Sequence, residues 1–230
     1  MNHLKQLRLL IISEVKAALR EVETHEYEQL GTKSERTGMK TLRVFDFDDT
    51  LAKTNSKVGI TELDKDTGEE IRPKYMITPA QYAKFKVEIA DKHPEIKYEY
   101  DYSEFSEVVD PRVIDFTFSI LRNVIKKMRE DVGIPAVILT ARGHGANENI
   151  RKFLGSLGIT IPVKTLNGSL PELKSQWIKQ TMLDRDIPHV EFFDDSHLNV
   201  EAVADLNKDP ELTSRFGKDL RVRSRIIEAS

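Results

Sequence analysis

The sequence predicts an α/β protein in which a parallel sheet carries helices on both faces, and three observations predict it. Short apolar, β-branched runs recur at 41–47 (TLRVFDF), 135–141 (PAVILTA), 162–166 (PVKTL) and 189–193 (HVEFF). Between them, ENIRKFLGSL, LKSQWIKQTML and LNVEAVADL space their apolar residues at a helical period. Strands that alternate with helices pair in parallel and are covered on both faces. Each run also ends in polar residues, and right-handed crossovers bring such strand ends to one edge, where open α/β sheets bind ligands. The expected architecture is therefore Rossmann-like.

The elements follow in chain order. Residues 2–24 place Leu4, Leu7, Ile11, Val15, Ala18 and Val22 at helical spacing, an amphipathic helix that packs on its own domain or, alternatively, on a partner or second copy. No small-residue cleavage pattern follows LRLLIISEV, so this segment is not read as a signal peptide. A polar connection over 24–40 leads to the first strand, and residues 1–40 form a separate N-terminal unit. The core is assigned to 41–51 and 111–230, with an inserted cap module over 52–110, too long and too patterned for a plain loop. Within the module, ITELDKDTGEEIRPKYMI reads as a hairpin turning near Asp66-Thr67-Gly68. TPAQYAKFKVEIADK reads as a short helix, and the acidic, aromatic EIKYEYDYSEFSEVVD follows. A long helix is expected over 111–131, with Pro111 in its first turn. KDLRVRSRII, alternating basic and apolar residues, reads as a C-terminal edge strand.

Composition bounds the function. The chain has 230 residues, 39% hydrophobic and 32% charged, which suits a well-charged globular protein able to bury a sizeable core. A net charge of −3 exerts no global pull toward nucleic acid or anionic membrane. No apolar run reaches membrane-spanning length, so no membrane association is expected. The absence of cysteine removes disulfides, thiolate chemistry and cysteine-based zinc sites, and suits the cytoplasm, the expected location.

The chemistry concentrates at the strand ends. The first strand runs into Asp46, Asp48 and Asp49, followed by Thr50; the second ends at Thr140 and Arg142; the last ends at Asp194 and Asp195. Lys174 opens the helix after the third strand. Carboxylates roughly 5 Å apart repel by about 3 kcal/mol at an effective dielectric near 20, so a divalent cation is the first candidate for compensation. In a strand Asp46 and Asp48 point to one side, with Phe45 and Phe47 packed behind. DFDD alone could be a turn or helix cap with solvated acids; its convergence with EFFDDS favours a catalytic or metal site.

In order and spacing, these four motifs resemble those of the haloacid dehalogenase-like superfamily of phosphohydrolases, over roughly 41–207. The resemblance rests on Asp46-Phe-Asp48-Asp-Thr50, on VILT ending in Thr140, on Lys174 in PELKSQW with Lys164 and Lys179 as competitors, and on EFFDDS. It implies that Asp46 attacks phosphorus to form an aspartyl-phosphate, and that Asp48 protonates the leaving oxygen and then activates water. It also implies a magnesium ion held by Asp46, the Asp48 carbonyl and an acidic residue of Asp194/Asp195, of which Asp195 is preferred as the direct ligand. Thr50, Thr140 and Lys174 would bind substrate phosphate. Arg142 either joins them or pairs with an aspartate. Asn199 stands where a further acidic residue is common in the family.

The expected function is a magnesium-dependent phosphomonoester phosphatase acting on a small phosphorylated substrate. The alternatives are a phosphatase of nucleic-acid 3′ or 5′ ends, disfavoured by the acidic YEYDYSEF, and a catalytically silent binding protein of the same fold. GHGANE is read as a helix opening rather than a dinucleotide loop. DKDTGEE is read as a hairpin turn rather than a calcium loop. His144 and His197 are read as loop histidines, and Trp177 as a core anchor.

Overall fold

The computed structural model describes residues 41–78, 81–82, 85, 89, 92–130 and 136–228. The helix expected over 2–24, the connection after it and most of the helix expected over 78–92 lie outside the described residues. The centre of the fold is a five-stranded sheet in which every neighbouring pair is parallel. Its strands are β1 (Thr41–Phe45), β7 (Ala136–Thr140), β8 (Val163–Thr165), β9 (His189–Asp194) and β10 (Arg221–Ile226), in the spatial order β10-β9-β1-β7-β8. The chain grows from β1 through β7 to β8, then returns to the other side of β1 for β9. This reversal places a crevice at the carboxyl ends of β1 and β9, the usual ligand position in such sheets.

Period-two alternation divides the strand side chains between two cores. Leu42, Val44, Val190, Phe192 and Val222 face one way, toward α3 (Pro171–Arg185), α4 (His197–Ala204) and α5 (Pro210–Phe216). Trp177, Ile178 and Met182 of α3 fill that side, so Trp177 is a core residue. Phe45, Phe193 and Ile138 face the other way, toward α1 (Asp115–Glu130) and α2 (Ala146–Ser156). There the Phe45 and Phe193 rings stack at 4.8 Å between centroids. Ala146, Ile150 and Leu154, four residues apart, form the buried stripe of α2. The sheet between two helical layers explains why β7 is buried at every position.

Two boundaries differ from the sequence reading. The first strand ends at Phe45 rather than Phe47, because Asp49 turns into the left-handed region (φ 51°) and the amides of Leu51 and Ala52 both donate to the Phe47 carbonyl. The long helix begins at Asp115, beyond Pro111. Residues 112–113 instead form β6 (Arg112–Val113), antiparallel to β2 (Ala52–Lys53). That two-stranded neck draws together the chain entering and leaving the intervening segment.

Between β2 and β6 lies a separate antiparallel sheet of β3 (Val58–Asp64), β4 (Glu70–Ile77) and β5 (Ile96–Asp101), in the order β4-β3-β5. Its hairpin turns where expected: the Asp64 carboxylate accepts from the amides of Asp66 and Thr67, and Gly68 supplies a φ of 72°. Strand β5 was not expected. Its signal was present, since Tyr98 and Tyr100 alternate with exposed Lys97 and Glu99. A short 3₁₀ turn over Ser103–Ser106 follows and runs back toward the neck.

Candidate functional site

At the carboxyl end of the sheet, β1 delivers Asp46 and β9 delivers Asp194, two adjacent strands in register. The Asp46 amide donates to the Phe193 carbonyl at 2.9 Å, continuing the ladder one residue past β1 and fixing the backbone that carries the carboxylate. Carboxylate oxygens of Asp46, Asp194 and Asp195 lie within 4.8 Å of one another.

Lys174 enters this acidic cluster from the first turn of α3. Pro171, which needs no amide partner in the first turn, starts that helix and sets the lysine one turn in. Its Nζ donates to Asp46 Oδ1 at 2.7 Å and to Asp194 Oδ2 at 2.6 Å, with the side chain buried. Burial opposes the lysine charge, but Asp46 and Asp194 outweigh it and hold its pKa above the ordinary lysine range. Of the two competing lysines, Lys179 is committed elsewhere, to Asp209 and Glu211. Lys164 lies on β8.

Asp194 is held from several sides. Its Oδ1 accepts from the Ser196 amide and from Asn199 Nδ2, both at 2.9 Å. Asn199 therefore orients Asp194 rather than adding a charge to the cluster. Asp195 receives a long contact of 3.4 Å from the Thr50 hydroxyl, itself fully buried. Burial and then the neighbouring Asp194 push the Asp195 pKa up to about 6. Burial also raises Asp46 well above the carboxylate range; Lys174 lowers it, and Asp194, Asp195 and Asp48 raise it. Three acids facing one ammonium are short of positive charge.

Asp48 has a different cation. Arg142 Nε and Nη2 grip its two oxygens at 2.8 and 2.7 Å, a bidentate pair of high directional strength. Thr54 donates to the same carboxylate at 3.1 Å. The Arg142 side chain is 1% exposed. Its remaining donors reach the Phe105 carbonyl at 3.1 Å, the Glu107 carbonyl, Thr54 Oγ1 and Ser56 Oγ. Asp46 and Asp48, expected to act from one strand face, are each held by a cation of their own, Lys174 and Arg142. Of the two readings of Arg142, this geometry displays the aspartate pair. Thr140 is buried at the end of β7, and its hydroxyl accepts from the Arg142 amide at 3.3 Å. His144 bonds Thr165 at 3.0 Å, and His197 is exposed at the start of α4.

Sequence reasoning missed Thr54, Ser56 and the two carbonyls of the 103–107 turn. Backbone acceptors leave no mark in a sequence, and Thr54 and Ser56 look like ordinary loop hydroxyls. The fold and site together define an α/β protein with an acidic, lysine-bridged cluster at the switch point of its sheet. No family model, curated protein or solved structure matches the chain.

Proposed function

We propose that the protein is a magnesium-dependent phosphomonoester phosphatase of the haloacid dehalogenase-like type, with residues 52–110 as a cap over its site. One observation carries this reading: three carboxylates cluster at two adjacent strand ends, two of them bonded to one buried lysine, in a pattern short of positive charge. The donor set fits a small, hard cation, because all three side chains offer carboxylate oxygens and none offers sulfur or imidazole. Asp46 and Asp195, with the Asp48 carbonyl, would hold magnesium, and Asp194 would support them. Two Asp194 oxygens already serve Lys174, Ser196 and Asn199, which favours Asp195 as the direct ligand. When bound, magnesium supplies charge neutralisation for the carboxylates and for an anionic substrate.

The chain's own groups account for the rest. Asp46, fixed by its backbone bond and by Lys174, attacks phosphorus; its Oδ–P bond forms as the bond to the leaving oxygen breaks. Lys174 lowers the Asp46 pKa against burial and so favours the nucleophilic carboxylate. Asp48 would give a proton to the leaving oxygen and, as a carboxylate again, take one from the water that cleaves the acyl-phosphate, a role that requires Arg142 to release one of the two oxygens it holds. Thr50, whose hydroxyl reaches toward Asp195, and Thr140, at the end of β7, would present their hydroxyls to the phosphoryl oxygens. A small phosphorylated substrate fits the reading best, since the strap nearest Arg142 carries Glu104 and Glu107 rather than basic residues.

The experiment is hydrolysis of an aryl phosphate with magnesium, with EDTA, and after restoring magnesium, followed by a screen of sugar phosphates, nucleotides and end-phosphorylated oligonucleotides. Turnover that needs the metal and disappears in Asp46→Asn supports the reading; full activity in EDTA refutes it.

A further inference from the structure

The returning strap of the inserted segment, residues 103–107, is fastened to the core at a point that has no role in the chemistry above. Asn149, half-buried on the first turns of α2, donates from Nδ2 to the Ser106 carbonyl at 2.7 Å and to Glu107 Oε2 at 3.2 Å. Gly145, at the N-terminus of the same helix, lies flat against Ser106: a Cβ there would meet Ser106 Oγ at 2.9 Å and Cβ at 3.3 Å. From the other side, Ser56 donates to the Glu107 carbonyl at 3.1 Å, and the Lys57 amide donates to Glu104 at 2.9 Å. The strap is thus stapled both to residues 56–57, just beyond the neck, and to α2.

Its inner surface meets Arg142. The guanidinium donates to the carbonyls of Phe105 and Glu107 and lies 5.1 Å from the Phe105 ring centroid, with Phe47 at 5.5 Å on another side. A buried guanidinium needs its donors satisfied, because each unpaired one forfeits solvation without return. Two of its acceptors come from the strap and the others from Asp48, Thr54 and Ser56. Strap and Asp48 therefore share one rigid planar fork: if the strap shifts, the fork must shift or lose bonds, and Asp48 moves with it.

We propose that Asn149 and the 103–107 strap are positioning elements for Asp48, acting through Arg142. Whether the inserted segment is seated on the core is thereby communicated to the carboxylate that handles the proton. Asn149 bonds to the strap at Ser106 and Glu107, not to Asp48, so its contribution passes through the strap. This inference rests on the phosphatase reading for its consequence in turnover, but its physical content, coupling between the strap and Asp48, stands apart from activity.

The test uses the full chain and two readouts. In hydrogen–deuterium exchange, the Phe105 and Glu107 amides, bonded to the Tyr102 and Glu104 carbonyls, report strap seating. Asn149→Ala should raise their exchange about fivefold, the factor for one net hydrogen bond. Gly145→Ala should act in the same direction by crowding Ser106. Asp48→Asn, whose carboxylate meets the strap through the shared Arg142 and, less directly, through Thr54 and the adjoining Ser56 and Lys57, should also raise exchange at these amides; Asp48→Ala serves as a second variant if the first keeps one arginine bond. Strap exchange unchanged in both Asp48 variants overturns the proposal. In steady-state kinetics with an aryl phosphate, Asn149→Ala should lower kcat about threefold to tenfold and leave KM within about twofold, a split that a binding defect does not produce. An unchanged kcat overturns the proposal as well. Coupled exchange in a protein with no phosphatase activity refutes the phosphatase reading and leaves the coupling standing.

Discussion

Replacing Lys174 by methionine tests whether the acidic cluster is electrostatically dependent on one ammonium. Methionine keeps an unbranched apolar side chain, one atom shorter than that of lysine, and removes the charge with its donors. In the wild type Nζ stands 2.7 Å from Asp46 and 2.6 Å from Asp194, with 5% of the side chain exposed. Without it, three carboxylates within 4.8 Å face one another. Removing one partner of a buried ion pair costs about 3–5 kcal/mol. Protonation limits that cost: Asp195 already titrates near pH 6, and each pH unit against a pKa is worth about 1.4 kcal/mol. The expected loss is therefore at the lower end, about 3 kcal/mol near pH 7.5 in EDTA. The sign of its pH dependence follows from the raised carboxylates. A group with a raised folded-state pKa favours the fold below its unfolded pKa, and that contribution is lost as pH rises through the folded value. Asp46 and Asp195 are raised in the wild type, and removing Lys174 takes away a positive charge that lowers both. The deficit of the variant should shrink on acidification from about pH 7.5 to about pH 5.5. Urea unfolding of both proteins at the two pH values, with m unchanged, measures it. A deficit under about 1 kcal/mol, or one that grows on acidification, refutes the assignment of Lys174 as the partner of the cluster.

Further outcomes follow from the same geometry. Asp46→Asn should abolish aryl-phosphate turnover, Asp48→Asn should lower kcat/KM by about a hundredfold or more, and Asp49→Asn should stay within about tenfold, because asparagine accepts the left-handed backbone that Asp49 adopts; an inactive Asp49→Asn beside an active Asp46→Asn reverses the roles. Magnesium affinity, measured by titration calorimetry, should fall as pH drops below about 6, since the proton taken up by Asp195 must leave before the metal binds; pH-independent binding between pH 5 and 7 counts against Asp195 as a ligand. Replacing residues 58–101 by a short flexible linker, which retains the β2–β6 neck and the 103–107 strap, should leave a folded core with altered substrate preference; global unfolding shows that the antiparallel sheet belongs to the main core.

Much of the fold was legible because its signals are local. Strand β7 is apolar up to its final threonine, β9 sets Val190, Phe192 and Phe193 ahead of Asp194, and α2 and α3 carry helical periods, so each could be placed without knowing its neighbours. The errors fall where a short-range pattern yields to a pairing it cannot display. Alternation carried β1 on through Phe47, but Asp49 turns the chain and two amides converge on one carbonyl. Pro111 looked like a helix start, but Arg112 and Val113 find Ala52 and Lys53, distant in sequence, and the helix waits until Asp115.

The site divides along the same line. By itself the sequence determined which residues carry chemistry and that a parallel sheet would collect them, because acid-bearing strand ends and strand–helix alternation are both written in one dimension. Only the tertiary structure decided which group meets which. It set Lys174 between Asp46 and Asp194, gave Asp48 to Arg142, and brought the carbonyls of Phe105 and Glu107 onto the same guanidinium. The physical reason is that an ion pair depends on distances of a few ångströms between groups up to 128 residues apart. Those distances are fixed by how helices and straps seat on the sheet, and no local spacing encodes them.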